Sequence, residues 1–544
     1  MKPNVTISKN GEVQSNNEFV KKFNDKLFQL EKEFTNKIDG FLDANKNQPF
    51  IFLSAILSRS IHQSKIYYDY CLLKNISEFL DNGYQIDYIE IGPELHETIQ
   101  QTKKIDSEKI SKFAVISNNT NEVNNLLRLV KFLIIKLFQI TLIRTNFNQS
   151  KNIGECKGLF SSYVFKGAAR QNYYFGNELN SENSESAFCP VIIDTSLSDL
   201  FSTISELKKI KSPLIFKEHY LSFKDVLKGL AHYSNERRFS KDCVKTGSID
   251  FLISKHLSNA LFNTQSLEAH LNMFGFSKLF SKVDIPRKLI VSWENQASEK
   301  AIIYSARNHT DTETIGYISR PIKQNEFNLI SSEQEVKNCL CPSRLFVTGK
   351  SALKKFHETN PKLNVSLGPN LRFRWNGDAH KKIKDPVERQ NLIFLFPGEN
   401  KLFESLEQIV DELIEANIHT QFNFYAKLHP YFKHSKGLNN NIELVDQKIE
   451  DFPNGAIVVS TASIAALESA AKGFRTVLFI EQYNEWETAL HSSSENYSIP
   501  TFKDTSELIK IINENSHFTS IDTEKIENAF FNNSINEGLD FFYK

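Results

Sequence analysis

Between residues 392 and 515 the chain repeats one pattern, a short unbroken apolar run followed by a longer segment with helical spacing. The runs are "LIFLF" (392–396), "FNFYAK" (422–427), "IELVD" (442–446), "GAIVVS" (455–460) and "TVLFI" (476–480). In "KLFESLEQIVDELIEANIH" (401–419), Leu402, Leu406, Ile409, Val410, Leu413 and Ile414 fall on one helical face. "SIAALESAAKG" (463–473) closes at Gly473, and "TSELIKIINEN" (505–515) opens with a Ser/Thr-type start. Strands that are apolar throughout are covered on both faces, and helices between them carry the chain to parallel neighbours. A doubly wound, Rossmann-like α/β sheet is therefore expected here.

The first half is of the same kind but less regular. "SPLIFKEHYLSFKDVLKGLAHY" (212–233), "RKLIVSWENQASEKAIIYSAR" (287–307), "TIGYIS" (314–319) and "SRLFVTGKSALKKFHE" (343–358) read as strand-then-helix units or single strands. The polar segment 175–188 reads as an exposed loop. Pro361, Gly368, Pro369, Gly377 and Pro386 mark 359–390 as a connection between two α/β halves, 1–358 and 391–544. A chain of 544 residues is expected to hold two or three domains.

The totals exclude several classes. Sixty-five basic residues balance 65 acidic ones, so no global field favours nucleic acid. Cys71, Cys156, Cys189, Cys243, Cys339 and Cys341 lack zinc or disulfide spacing, which suits reduced thiols in a cytoplasmic protein. The opening "MKPNVTISKNGEVQSNN" has no apolar signal core. "LLRLVKFLIIKLFQITLI" (126–143), in a helical insertion near 120–145, is interrupted by Arg128, Lys131, Lys136 and Gln139. It reads as a buried or half-buried helix, with a peripheral contact to anionic lipid at the inner membrane as the alternative.

Ligands of open parallel sheets bind beyond the carboxyl ends of the strands. Three such ends are unusual: Pro397-Gly398-Glu399-Asn400 after 392–396, Lys427 and His429-Pro430 after 422–427, and Ser460, Thr461 and Ser463 before a helix. A small residue that permits close approach, a cation, an imidazole and a hydroxyl-rich helix start suit a nucleotide phosphate. Taken singly, the hydroxyls would serve as N-caps and His429 as a structural histidine. "GKS" (349–351) lacks the earlier glycine of a phosphate loop, where Arg344 stands. His219 and Asp225 read as structural.

"KLHP" followed by "STASIAALESAAKGFRTVLF" resembles the nucleotide half of GT-B glycosyltransferases that build bacterial capsules, lipopolysaccharide and other surface glycans. Sialyl-, polysialyl- and Kdo transferases of that kind hold cytidine monophosphate with a His-Pro motif and a downstream Ser/Thr motif. The resemblance implies that Lys427, His429, Ser460, Thr461 and Ser463 bind the donor phosphate, with Glu468 near the ribose or base. "WENQASEKAIIYSAR" (293–307), "IGYIS" (315–319), "FVTGKSALKKF" (346–356) and "LGPNLRF" (367–373) are also similar to a group of surface carbohydrate biosynthesis proteins, with weaker echoes at "FLSAILSRS" (52–60). Together the likeness covers roughly 212–500. It makes 1–358 the acceptor-side domain and 391–544 the nucleotide-sugar-binding domain.

The acidic-acidic-Gly triplet that supplies the base in such sialyltransferases is missing, and Glu294 in "WENQ" is the replacement. An inverting transferase needs one carboxylate to take the acceptor proton, whereas a retaining one does not. Glu299, Arg307 and Arg320 are candidates for an anionic substrate group. No Asp-x-Asp pair stands at a strand end, so neither a divalent cation nor another cofactor is expected beyond a CMP-linked donor. The expected activity is transfer of a nonulosonic acid or Kdo to a glycan acceptor. Alternatives are a CDP-polyol phosphotransferase, a non-catalytic scaffold in glycan assembly, and a UDP-sugar epimerase.

Overall fold

The computed structural model describes residues 3–544 except 11, 46–51, 55, 61–63, 102–104, 106, 117–121, 149–152, 168–173, 176–178, 180–184, 194–195, 243–248, 260–263, 324, 374–389, 430–438, 440, 454, 462, 483, 489–496, 498, 515–517, 519–520, 533–534 and 536.

Three sheets organise these residues. The first holds β1 (Val5–Lys9), β2 (Glu12–Gln14), β3 (Gln85–Ile91) and β4 (Phe113–Val115) in the order β2-β1-β3-β4. It is mixed, with β1 antiparallel to both neighbours and β4 parallel to β3. Its core joins Phe19, Phe34, Tyr67 and Phe79 to Phe327, Leu340 and Trp486 from later in the chain.

The second sheet is wholly parallel: β5 (Gly158–Val164), β6 (Ser186–Ile192), β7 (Lys288–Ser292), β8 (Glu313–Ile318), β9 (Arg344–Val347) and β10 (Val365–Leu367). Read from β6, its strands run 2-1-3-4-5-6 in chain order, the flavodoxin-like arrangement. Every residue of β5 and β6 is buried, as strands covered on both faces require. β6 begins inside the 175–188 stretch expected to be an exposed loop. Phe175 and Leu179 are buried as well, because apolar anchors hold this polar segment to the core. β10 lies within 359–390.

The third sheet holds β11 (Gln390–Leu395), β12 (Phe422–Lys427), β13 (Glu443–Leu444), β14 (Ile457–Ser460), β15 (Arg475–Phe479) and β16 (Thr501–Phe502), again all parallel. Its order, β13-β12-β11-β14-β15-β16, is 3-2-1-4-5-6, the dinucleotide-fold arrangement. The predicted strands and the helices Asn400–Glu415, Ile464–Ala471 and Thr505–Asn513 are all present.

The chain end ties the two parallel sheets together. After the helix Thr523–Phe530, the turn Gly538–Tyr543 returns to the second sheet, where Phe542 packs against Phe160, Tyr317 and Phe346. Burying one such ring contributes on the order of 1.5–3 kcal/mol.

Candidate active site

Strand order and register decide which loops meet. In the third sheet Leu395 pairs with both Lys427 and Ser460, so β11, β12 and β14 end at one level. The order reverses between β11 and β14, and a crevice opens there at the carboxyl edge. "PGE" (397–399) and Ser460–Ser463 flank that switch point, with His429 one strand away. In the second sheet the order reverses between β5 and β7, which places Tyr163 and Glu294 at the corresponding crevice. The two edges face each other, and Lys323 Nζ from the loop after β8 lies 3.6 Å from Glu399 Oε1.

On the third-sheet side, the half-buried His429 ring lies flat against Gly398. A Cβ at position 398 would stand 2.8 Å from Nδ1 and 3.1 Å from Cε1 and Cγ. Burial, then the charges of Lys323 and Arg372, depress the imidazole below its usual value, against a smaller opposing pull from Glu399. His429 is therefore neutral near pH 7, a hydrogen-bonding group beside cations supplied by the opposite domain. Ser463 caps the helix Ile464–Ala471, its Oγ accepting from Ala465 N at 3.2 Å. Thr461 is wholly buried, and its Oγ1 has no hydrogen-bond partner among the described residues.

Other predicted residues are engaged elsewhere. Ser460 Oγ donates to Leu395 O at 3.0 Å and joins two strands. Lys427 Nζ donates to Gln447 O at 2.8 Å and to Asp446 O at 3.5 Å, fixing the loop after β13. Glu468 is paired with Lys472 at 2.6 Å, a lysine that also meets Glu450 at 2.8 Å. Pro430 lies outside the described residues.

On the second-sheet side, Asn295 turns the chain sharply after β7 with φ 56°, a left-handed conformation that asparagine tolerates better than most residues. Its Nδ2 donates to Asn328 O at 2.7 Å. That turn leaves Glu294 partly exposed at the cleft, 3.6 Å from Arg320 Nε and accepting from Gln296 Nε2 at 2.9 Å. Arg320 also reaches Glu326 at 2.7 Å, and Glu326 accepts from Lys323 N at 2.8 Å. Although burial opposes it, Arg320 and then Lys323 hold Glu326 down to about 2. Burial works against the Arg320 charge too, yet Glu326 and Glu294 keep it firmly protonated. Glu294, Arg320, Glu326, Lys323 and Glu399 thus form one string of charges across the cleft to the loop that carries His429's platform.

Glu299 lies directly behind this string. It completes a capping box with Gln296 at the start of the helix Ala297–His309, its Oε2 accepting from the N–H groups of Glu294 at 2.6 Å and Gln296 at 3.2 Å. Burial, then the neighbouring Glu294, push its carboxyl well above the usual range. Burial and then Glu299 likewise push up the Tyr163 hydroxyl, whose Oη finds no partner at hydrogen-bonding geometry among the described residues. Arg307 stands at the far end of the same helix, donating to Cys341 O at 3.2 Å, away from the cleft.

Spacing gave no warning of Lys323, Arg372 or Tyr163. Arg372 falls inside the quoted "LGPNLRF", and Arg59, inside "FLSAILSRS", is buried 2.8 Å from Glu335. Although burial works the other way, Arg59 and then Lys300 hold Glu335 down to about 2. "GKS" is no phosphate loop, because a Cβ at Gly349 would stand 2.3 Å from Ala529 O.

These features define the class: an α/β, GT-B-like protein whose two Rossmann-like, doubly wound domains face a cleft. No protein-family model matches the chain, and no curated protein matches it. Among solved structures it is similar to the UDP-GlcNAc 2-epimerase of Methanocaldococcus jannaschii in complex with UDP-GlcNAc and UDP, at 10% identity over 70% of this chain and 96% of that one, with a TM-score of 0.39. The UDP-GlcNAc 2-epimerase of Neisseria meningitidis bound to UDP-GlcNAc gives 12%, 70%, 96% and 0.40. The glycosyltransferase SnogD of Streptomyces nogalater gives 9%, 68%, 93% and 0.35. At these scores the likeness carries neither substrate nor activity to this protein.

Proposed function

We propose that the protein is a glycosyltransferase that moves a sugar, a CMP-activated nonulosonic acid or Kdo, from its nucleotide to a surface-glycan acceptor. The observation that carries this reading is the string of charges from Glu294 to Glu399, which sets a partly exposed carboxylate opposite an imidazole held between cations. The donor phosphate sits between Gly398, His429 and the helix start at Ser463. Neutral His429 donates one N–H to it, while Lys323 and Arg372 offset the charge that grows as the nucleotide leaves. Thr461 Oγ1 and the helix start at Ser463 complete the cradle. Glu294 accepts the proton of the attacking hydroxyl, and Arg320 orients its carboxylate. The choice of CMP rests on the His-Pro and Ser/Thr motifs.

Thermal shift of the full chain with CMP, CDP, UDP and GDP tests the proposal. CMP is expected to raise Tm, and His429→Ala to abolish the rise. Stabilisation by UDP alone would favour the epimerase reading over this one. Turnover of CDP-glycerol or CDP-ribitol in place of CMP-sugars would make the protein a polyol-phosphate transferase. No response to any nucleotide would leave a scaffold.

A further inference from the structure

The helix Glu122–Asn146 buries Ile135, Ile140 and Ile143 together with two polar side chains, and leaves a second apolar stripe exposed. Its inner face carries Lys136, buried, with Glu268 at 2.7 Å, Gln139 Oε1 at 3.0 Å and Ile192 O at 3.2 Å around its ammonium. Gln139 in turn donates to the buried Glu218 at 2.8 Å. Its outer face carries Leu126, Leu127, Val130, Ile134 and Phe138, each between 43 and 59% exposed. With about 100° per residue these five cover one stripe some four turns long.

Helices on both sides extend the stripe. Ile143 packs with Leu200 and Ile204 of the helix Leu197–Leu207, which exposes Phe201. Ile140 packs with Leu221 and Val226 beside the helix Phe223–Asp242, which exposes Phe223 and Leu227. The eight named on this helix and the two beside it are more than half of the fourteen large apolar side chains left exposed among the described residues. A concentration of that kind marks a binding surface.

The charges at its edge select the occupant. Arg128, Lys131, Lys224 and Lys228 are exposed around the stripe, and Lys208 and Lys209 follow the Phe201 helix. Three acids of the flanking helices are neutralised or turned inward: Asp225 is bound by Lys278, Asp199 is paired with Lys166, and Glu206 is buried. A chain with no net charge thus presents an apolar stripe with a cationic rim. A two-fold pairing of copies through this face would set cation against cation, whereas an anionic lipid surface supplies both complements. Among the described residues no helix is long and apolar enough to cross a membrane, so the contact lies along the surface.

We infer that the outer face of Glu122–Asn146, with Phe201, Phe223 and Leu227, docks the protein on an anionic lipid bilayer, its apolar side chains among the acyl chains and its cations at the headgroups. The surface adjoins the carboxyl end of β6, and it stands whether or not the transferase reading does.

Flotation of the full chain with phosphatidylglycerol–phosphatidylcholine vesicles tests this. At low ionic strength the protein is expected to float with these vesicles, and several-fold less with phosphatidylcholine alone. Ile134→Glu combined with Phe138→Glu is expected to lower the bound fraction at least tenfold with Tm unchanged, since both positions are exposed. Lys131→Glu with Lys224→Glu is expected to lower it as well, whereas Leu444→Glu, exposed on another domain, leaves it unaltered. Equal flotation with both vesicle types would overturn the anionic requirement. Failure of the wild type to float would overturn the proposal, as would a dimer in sedimentation velocity that Ile134→Glu/Phe138→Glu disperses without any vesicle binding.

Discussion

His429 and Gly398 act as a pair, because the ring occupies the space a side chain at 398 would need. Gly398→Ala pushes the imidazole off its platform, and we expect kcat/KM to fall about as far as in His429→Ala, roughly 10²-fold, the usual effect of losing one preorganised donor. If Gly398→Ala is as active as wild type, the ring does not serve the reaction in this position. The imidazole is depressed below 6.5 by burial, Lys323 and Arg372, so it is neutral throughout the range above that value. A pH–rate profile is therefore expected to show no inflection from His429 between pH 7 and 8. Its contribution to stability is complete above 6.5 and declines only as pH falls through the lower folded-state value. Lys323→Ala removes one of the depressing charges and should move any inflection upward.

At the level of elements, two helix starts at the cleft are built differently and should respond differently. Ser463 is a simple cap, and Ser463→Ala should cost about 1 kcal/mol in a denaturant titration. Glu299 holds two backbone N–H groups and burial pushes its carboxyl upward, so Glu299→Gln, which keeps an accepting oxygen, should leave stability nearly unchanged. Glu299→Ala strips both N–H groups of their partner and should cost about 1–3 kcal/mol. Equal losses for Gln and Ala would show that the carboxylate charge, and not the accepting oxygen alone, holds the two N–H groups. These starts also show what local sequence reveals. "STAS" and "WENQASE" announce helix starts because capping is short-range. That Ser460 serves a strand and Ser463 a helix follows only from the register of β14 with β11. Likewise the apolar content of 126–143 is plain, but which of its residues face outward depends on Glu268 and Glu218, more than 70 residues away, which draw Lys136 and Gln139 inward.

Across the whole molecule, the N-terminal mixed-sheet domain grips both parallel domains. Asn24 Nδ2 donates to Glu485 at 3.0 Å, and Glu31 accepts from Trp486 Nε1 at 3.2 Å. Burial pushes the Glu31 carboxyl from an ordinary 4.5 up to about 7, against Lys355 and the indole hydrogen bond. Lys355 is itself depressed by burial and donates to Lys323 O at 3.3 Å, which links this contact to the cleft. Because the folded state binds the proton more tightly, the stability from neutral Glu31 is full below 4.5 and is lost as pH rises through about 7. Tm should therefore fall between pH 5 and 8, and Glu31→Gln should flatten that fall. An unchanged slope in Glu31→Gln would assign it to another group.

The alternation of strands and helices, the parallel character of the second and third sheets and the loops at the carboxyl ends of β11, β12 and β14 are legible in the sequence. Each of these depends on periodicity or capping within a few residues. Only the tertiary structure decided that Lys323 and Arg372 from one domain meet His429 of the other. It also decided that Lys427 and Glu468 turn to local partners and that Glu294 and Tyr163 share a switch point. The physical reason is strand order. The sequences 2-1-3-4-5-6 and 3-2-1-4-5-6 are settled by how whole apolar faces pack, so the meeting of two distant strand ends leaves no mark on the residues beside either one.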